Sequence, residues 1–284
     1  MTNIAFLGTG LLGSAFAEAA AKRGDTVTAW NRSIDKVQAL AKFGVKVALT
    51  PADAVRGAAR VHLILKDDAV VEEVIAAALS GLSPEAILID HSTTLPALTS
   101  ERAARLQAAG IRYLHCPVFM GPPAARNAQG SMMVTGPKEL FESVEADLAK
   151  MTGRVLYMGE RSDLAAANKL LGNAMIIGLS ALVADILTLA QATDVNGEDA
   201  IKLLELLDLN AMVTGRGMNM AKGNFTATFE LAMARKDVRL MLETSGDRKM
   251  AVLPGVAARM DQLIAQGHGA EDACVLGVDA VARP

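Results

Sequence analysis

Two periodicities alternate along the first 160 residues. Short apolar runs ("NIAFLG", "TVTAWN", "VKVAL", "RVHLIL", "AILIDHS") read as strands, being brief, rich in Val, Ile and Leu, and bounded by turn residues. Between them, apolar positions recur at helical spacing in residues 14–23 and 33–43, in "DAVVEEVIAAAL" and in "LPALTSERAARLQAAG". "TPADAV" opens another helix, with Thr50 as its cap, Pro51 in the first turn and Asp53 at the third position. "IRYLHCPV" and "SMMVTG" continue the strands, "PKELFESVEADLAKMTG" predicts a helix, and "RVLYMG" a last strand. Apolar strands alternating with helices predict an α/β domain, a mostly parallel doubly wound sheet covered on both faces.

After Gly159 the strand signal stops. Residues 163–193, 197–208, 229–245 and 253–267 read as helices, which predicts a sheet domain over 1–160 and an all-α domain over 161–284. The first of these helices, about 30 residues and so roughly 45 Å long, carries "AMIIGLSALVADILTLAQA". By apolarity it could pass for a membrane span. Asp185 and the polar flanks instead favour a helix buried inside protein. One small domain offers too little surface to cover it, so a second subunit is expected to help.

Composition narrows the function. Across 284 residues the net charge is -3 and aromatics make up 4%. With no basic run interleaved with aromatics, a nucleic-acid binder is not expected. Two distant cysteines, Cys116 and Cys274, suit neither a disulfide framework nor a zinc site; they fit a reducing compartment, and no metal is expected. The N-terminal segment lacks a basic leader and is broken by glycines, so it reads as strand, turn and helix rather than a signal peptide, and a cytoplasmic protein is expected.

The chemistry begins at "GTGLLG", Gly8-x-Gly10-x-x-Gly13, with Leu11 and Leu12 between the last two glycines. It follows a strand and opens a helix, the context in which this spacing binds a dinucleotide. Gly8 would allow the tight turn, Gly10 the approach of a pyrophosphate and Gly13 close packing of helix on strand. The next strand ends Asn31, Arg32, Ser33 where an NAD site commonly has Asp or Glu. With no carboxylate to repel a 2′-phosphate, an arginine to pair with it and Asn31 and Ser33 as donors, NADP is preferred and NAD remains possible. Arg32 could equally be a solvated loop residue. Ser92 and Thr93, beyond the strand "AILIDHSTT", could reach the ribose or nicotinamide, or simply cap the next helix.

In "ANKLLGNAM", Lys169 and Asn173 stand four residues apart on one helical face. A lysine whose pKa is lowered by burial can both take and give a proton near neutrality. The plain alternative is a salt-bridged lysine at a helix edge.

Four pieces in order, "FLGTGLLG" with "WNRS", "DHSTTLP", "HCPVFMG", and "KLLGN" with "ARKDV", resemble the β-hydroxyacid dehydrogenases. That group includes 3-hydroxyisobutyrate dehydrogenase and tartronate semialdehyde reductase and is related to the NAD-binding superfamily of 6-phosphogluconate dehydrogenase. The resemblance implies a Rossmann domain followed by a helical domain, association as a homodimer or homotetramer through the helices, and hydride transfer between a nicotinamide and a small β-hydroxyacid, semialdehyde or related carbonyl. It implies Lys169 as the catalytic acid/base, Asn173 as a substrate holder, Lys236 near the cofactor, and Ser92 and Thr93 on the nicotinamide side. In "HCPVFMG" the chain departs from the family: His115 stands for an Asp, Phe119 for a serine and Met120 for a glycine, while Gly121 is kept. Those positions belong to the substrate pocket, so a bulkier or more apolar substrate is implied. The imine reductases are a second resemblance through "YMGERSDLAAANKLLGNAM", giving C=N reduction as the alternative; a non-catalytic NADP-binding protein is the third.

Overall fold

The computed structural model describes residues 2–281. Strands β1 (Asn3–Leu7), β2 (Thr26–Trp30), β3 (Lys46–Val47), β4 (Arg60–Leu63), β5 (Ile87–Asp90) and β6 (Arg112–His115) form one parallel sheet in the order β3-β2-β1-β4-β5-β6. That is the doubly wound dinucleotide-binding order, reversing between β1 and β4. Helices α1 (Leu11–Lys22), α2 (Ile34–Gln38), α3 (Pro51–Val55), α4 (Asp68–Ala78) and α5 (Pro96–Ala108) connect these strands. The pleat sends alternate residues of β1 to opposite faces. Ile4 and Phe6 join a core with Phe16, Ile89 and Leu114; Ala5 and Leu7 join another with Val61, Leu63, Ile75 and Leu88.

A second sheet adds β7 (Val118–Phe119), β8 (Ser131–Val134) and β9 (Arg154–Tyr157). It is tied to β6 by paired backbone bonds between His115 and Thr135. β7 runs antiparallel to β8. Only a short link containing α6 (Pro122–Arg126) joins them, enough to reverse the chain but too short for a parallel crossover. The single helix predicted after Pro137 is two short ones, α7 (Lys138–Glu142) and α8 (Glu145–Leu148).

The chain divides into two compact units, Met1–Asn173 and Ala174–Pro284, so the division falls inside helix α9 (Leu164–Ala192) and not at residue 160, where the strand signal ends. The second unit holds the rest of α9 with α10 (Gly197–Lys202), α11 (Leu209–Ala221), α12 (Leu231–Ser245) and α13 (Leu253–Ala265). Helix α11 carries no clear sequence signal, since Gly215 and Gly217 interrupt its pattern. Leu231, Val238, Leu253, Met260 and Leu263 form this unit's core. Buried Asp185 accepts hydrogen bonds from the backbone N–H groups of Ala251 (2.6 Å), Val252 (2.9 Å) and Leu253 (2.9 Å), anchoring α9 to the start of α13. Burial alone would raise its pKa, but these three bonds outweigh it and hold the carboxyl below its ordinary value.

Helix α9 is long and apolar enough to cross a membrane, yet only 6% of that apolar stretch is buried within the chain. Among the described residues the expected burial is not supplied: Met175, Ile176, Ile177 and Leu179 are exposed.

Candidate functional site

The site is built on the carboxyl ends of the central strands. Gly8 follows β1 at φ 98°, donates to the Trp30 carbonyl at 2.9 Å, and leaves no room for a side chain, because a Cβ there would sit 2.3 Å from the Ile64 carbonyl oxygen. A Cβ on Gly13 would lie 2.0 Å from the Gly8 carbonyl oxygen, so the helix can close onto the turn only with glycine. Gly10 differs: it precedes α1, and a Cβ there would meet nothing within 4 Å. The first turn of α1 has neither a side-chain cap nor an acidic residue, and Leu11 is 84% exposed while Leu12 packs against the core. Open N–H groups at a helix N-terminus with space before them suit a dinucleotide pyrophosphate.

Asn31 also has a task within the chain. Its Oδ1 accepts from the Thr9 backbone at 3.1 Å and its Nδ2 donates to the Ser33 carbonyl at 3.1 Å, so it locks the glycine turn to the end of β2. Arg32 and Ser33 are exposed, and Arg32 makes no ion pair among the described residues. After β5, buried Ser92 accepts from the Leu65 backbone at 3.0 Å, and Thr93 is exposed. The capping alternative does not hold: α5 begins after Leu95, with no side-chain cap, and the next hydroxyl, Thr94, pairs with Thr99 at 2.7 Å.

Behind these strand ends lies a buried polar layer that no local sequence signal marks. His91 Nδ1 donates to the Cys116 carbonyl (2.8 Å), so its Nε2 must accept from His62 Nδ1 (2.9 Å). Both rings are neutral; burial foremost pushes their pKa values down. Arg102, fully buried, donates to Asp68 and Glu72, each at 2.7 Å, and lies 3.6 Å from Asp90. Asp90 in turn accepts from the Tyr113 hydroxyl at 3.0 Å. Arg102 sits in the helical "ERAARLQ", where nothing local separates it from a solvated arginine.

Of the predicted substrate-side residues, the structure joins two. Lys169 Nζ stands 4.2 Å from the centroid of the Phe119 ring, over its face. The ring tip rests on Gly172, where a Cβ would be 2.2 Å from Cζ. Lys169 is half-buried, pairs with no carboxylate among the described residues, and has its pKa lowered by burial. Asn173, one turn on, is half-buried. Met120 follows Phe119 and packs on the core; Gly121 precedes α6.

His115 is not part of this group. It is fully buried, neither ring nitrogen has a partner, and Asp90 Oδ2 lies 3.9 Å from Nδ1. It lines a separate cavity of about 770 Å³ with Tyr113, Thr135, Glu139 and Glu160. Burial lowers its pKa to about 4. Lys236 lies on α12, in the second unit, paired with Asp237 at 2.9 Å. Among the described residues no cluster of metal ligands exists.

A 3-2-1-4-5-6 sheet with a glycine turn closed onto an uncapped helix defines a dinucleotide-binding α/β protein. The chain belongs to the family with the NAD binding domain of 6-phosphogluconate dehydrogenase, whose model matches residues 3–159, and its cofactor is NAD(P). Glyoxylate/succinic semialdehyde reductase 1 of Arabidopsis thaliana is 28% identical over 262 residues, covering 90% of this chain and 89% of the relative. The cytokine-like nuclear factor N-PAC of Homo sapiens is 28% identical over 246 residues, covering 84% of this chain. The chain spans only 44% of that relative's length. Among solved structures, a reductive aminase from Aspergillus terreus in complex with NADPH4, cyclohexanone and allyl amine matches with TM-score 0.87 and 22% identity, covering 98% and 99% of the two chains. An imine reductase from Myxococcus stipitatus in complex with NADP+ matches with TM-score 0.86 and 22% identity over 97% and 98%. These structures share the fold.

Proposed function

We propose that this protein is an NADP-dependent reductase of small carbonyl compounds, the semialdehyde or related carbonyl being interconverted with its alcohol, with Lys169 as general acid/base. The observation that carries this is the state of Lys169: half-buried, held against an aromatic face, and without a carboxylate partner among the described residues. A salt-bridged lysine at a helix edge would have its proton held; this one is free to exchange it. When bound, the reduced nicotinamide supplies hydride to the carbonyl carbon and is left oxidised. Lys169 Nζ–H gives a proton to the carbonyl oxygen, completing the alcohol, and in the reverse direction the neutral amine takes it back. Asn173, at i+4 from Lys169, is the proposed holder of a substrate oxygen.

In this reading Gly8 and Gly13 shape the turn, the open N-terminus of α1 beside Gly10 holds the pyrophosphate, and Arg32 pairs with the 2′-phosphate. Support for NADP is the absence of a carboxylate at the end of β2 together with an exposed Arg32 that makes no ion pair among the described residues. The exposed apolar face of α9 supports association through the helices as a homodimer or homotetramer. The two buried, unpaired cysteines suit a cytoplasmic protein.

In Lys169→Ala, turnover should fall by about 10²–10⁴-fold. NADPH binding, read by energy transfer from Trp30, the one tryptophan of the chain, should persist. Turnover near wild type would refute the role. Arg32→Ala should lower catalytic efficiency with NADPH more than with NADH, and a wild-type preference for NADH would overturn the cofactor reading. C=N reduction is the second reading, favoured by the apolar Phe119 and Met120; cyclic imines set against semialdehydes with NADPH separate the two.

A further inference from the structure

We propose that Phe119 is the specificity-determining residue of this site, selecting uncharged carbonyl compounds over those that carry a carboxylate near the reacting carbon. The proposal deepens the reading of Lys169 as acid/base and rests on it for its geometry. A reacting oxygen must come within hydrogen-bond reach of Lys169 Nζ. The substituents on its carbon then lie within a few ångströms of whatever flanks that amine. What flanks it is the Phe119 ring, whose face lies 4.2 Å from Nζ.

The ring is held in place on two sides. Its tip presses on Gly172, three residues after Lys169, where even a methyl group would overlap it. Its own chain is fixed by the pairing of Phe119 with Ser131 and by Met120 against the core. Phe119 therefore cannot swing aside cheaply.

With the Lys169 ammonium committed to the reacting oxygen, a carboxylate placed against the ring would lose water and find no side-chain donor on Phe119 or Met120, a costly burial. The ring face, which carries the negative end of the aromatic quadrupole, attracts the ammonium and repels an anion. An ester, amide or alkyl group of the same size instead finds apolar surface. Losing one well-made hydrogen bond to a charged group corresponds to about 10- to 100-fold in discrimination.

The test compares kcat/KM for succinic semialdehyde and its methyl ester, and for glyoxylate and its methyl ester, with NADPH. In wild type the esters should win by about 10- to 100-fold. Phe119→Ser should cut that ratio at least tenfold, mainly through KM of the acids. Phe119→Leu, which keeps an apolar wall, should retain the ester preference and serves as the folding control. Binding of succinate and of its monomethyl and dimethyl esters to the NADP+ complex gives the same ratio without turnover, so an inactive substrate set still decides. Preference for the acids in wild type, or an acid-to-ester ratio unchanged in Phe119→Ser, overturns the proposal. Lys169→Ala is run in parallel: wild-type turnover there refutes the acid/base reading, while the binding ratio continues to judge Phe119 alone.

Discussion

Lowering the pH should destabilise the first unit between pH 6.5 and 5, well before carboxylates titrate, because His62, His91 and His115 fold as neutral rings. The clearest magnitude comes from His115, whose pKa falls from 6.5 to about 4 on burial. The sign follows from linkage. Near pH 5 the unfolded ring binds a proton and the folded ring does not, so stability is full above 6.5 and is lost as the pH falls. For His115 the loss between pH 7 and 5 is about 2 kcal/mol, approaching about 3 kcal/mol below pH 4. His62 and His91 add to it in the same direction. Each ring contributes a slope of up to about 1.4 kcal/mol per pH unit in that window. Urea titrations followed by Trp30 fluorescence report this unit, since Trp30 closes β2 and packs on its core. Wild type should show a midpoint that falls steadily from pH 6.5 to 5. His115→Asn should shallow that slope by about one proton, whatever it does to stability at pH 7. A flat wild-type profile, or a slope unchanged by the substitution, would refute the reasoning.

The remaining predictions use other parts of the molecule. Gly10→Ala has room for its methyl group and should leave thermal stability unchanged while weakening NADPH binding at least about tenfold, because the methyl enters the space proposed for the pyrophosphate. Gly13→Ala, by contrast, puts a carbon 2.0 Å from the Gly8 carbonyl oxygen and should lower both stability and binding in the same assays. Asp185→Ala removes the acceptor of three backbone N–H groups and should cost the second unit about 3 kcal/mol, measured by urea unfolding followed by circular dichroism. Reduction needs protonated Lys169, so its rate should decline as pH rises through a value below the ordinary lysine 10.5, the side chain's burial being the cause; a limb at or above 10.5 would contradict this.

Legibility followed range. The glycine turn was readable because its determinants sit within six residues and act through the backbone. Strands β1, β2, β4, β5 and β6 were readable from their apolar runs; α11 was not, since two glycines blur its period and only the capping bond from Ala211 to Asp208 marks its start. That Asn31 bonds Thr9 and Ser33 depends on how the turn after β1 meets the end of β2. His115 was grouped with Phe119 and Met120 because they are close in sequence. A strand end separates them, and β6 carries His115 toward Asp90 and a different cavity.

By itself, then, the sequence determined the alternating sheet, the phosphate turn and the helix that presents Lys169, since these arise from spacing, side-chain period and local backbone freedom. Only the tertiary structure decided that Phe119 meets Lys169 across fifty residues, that His62 pairs with His91, that Arg102 is buried among carboxylates and that α9 remains uncovered along its apolar face. Those outcomes depend on which elements pack together and which way their side chains then point, and no local pattern carries that information.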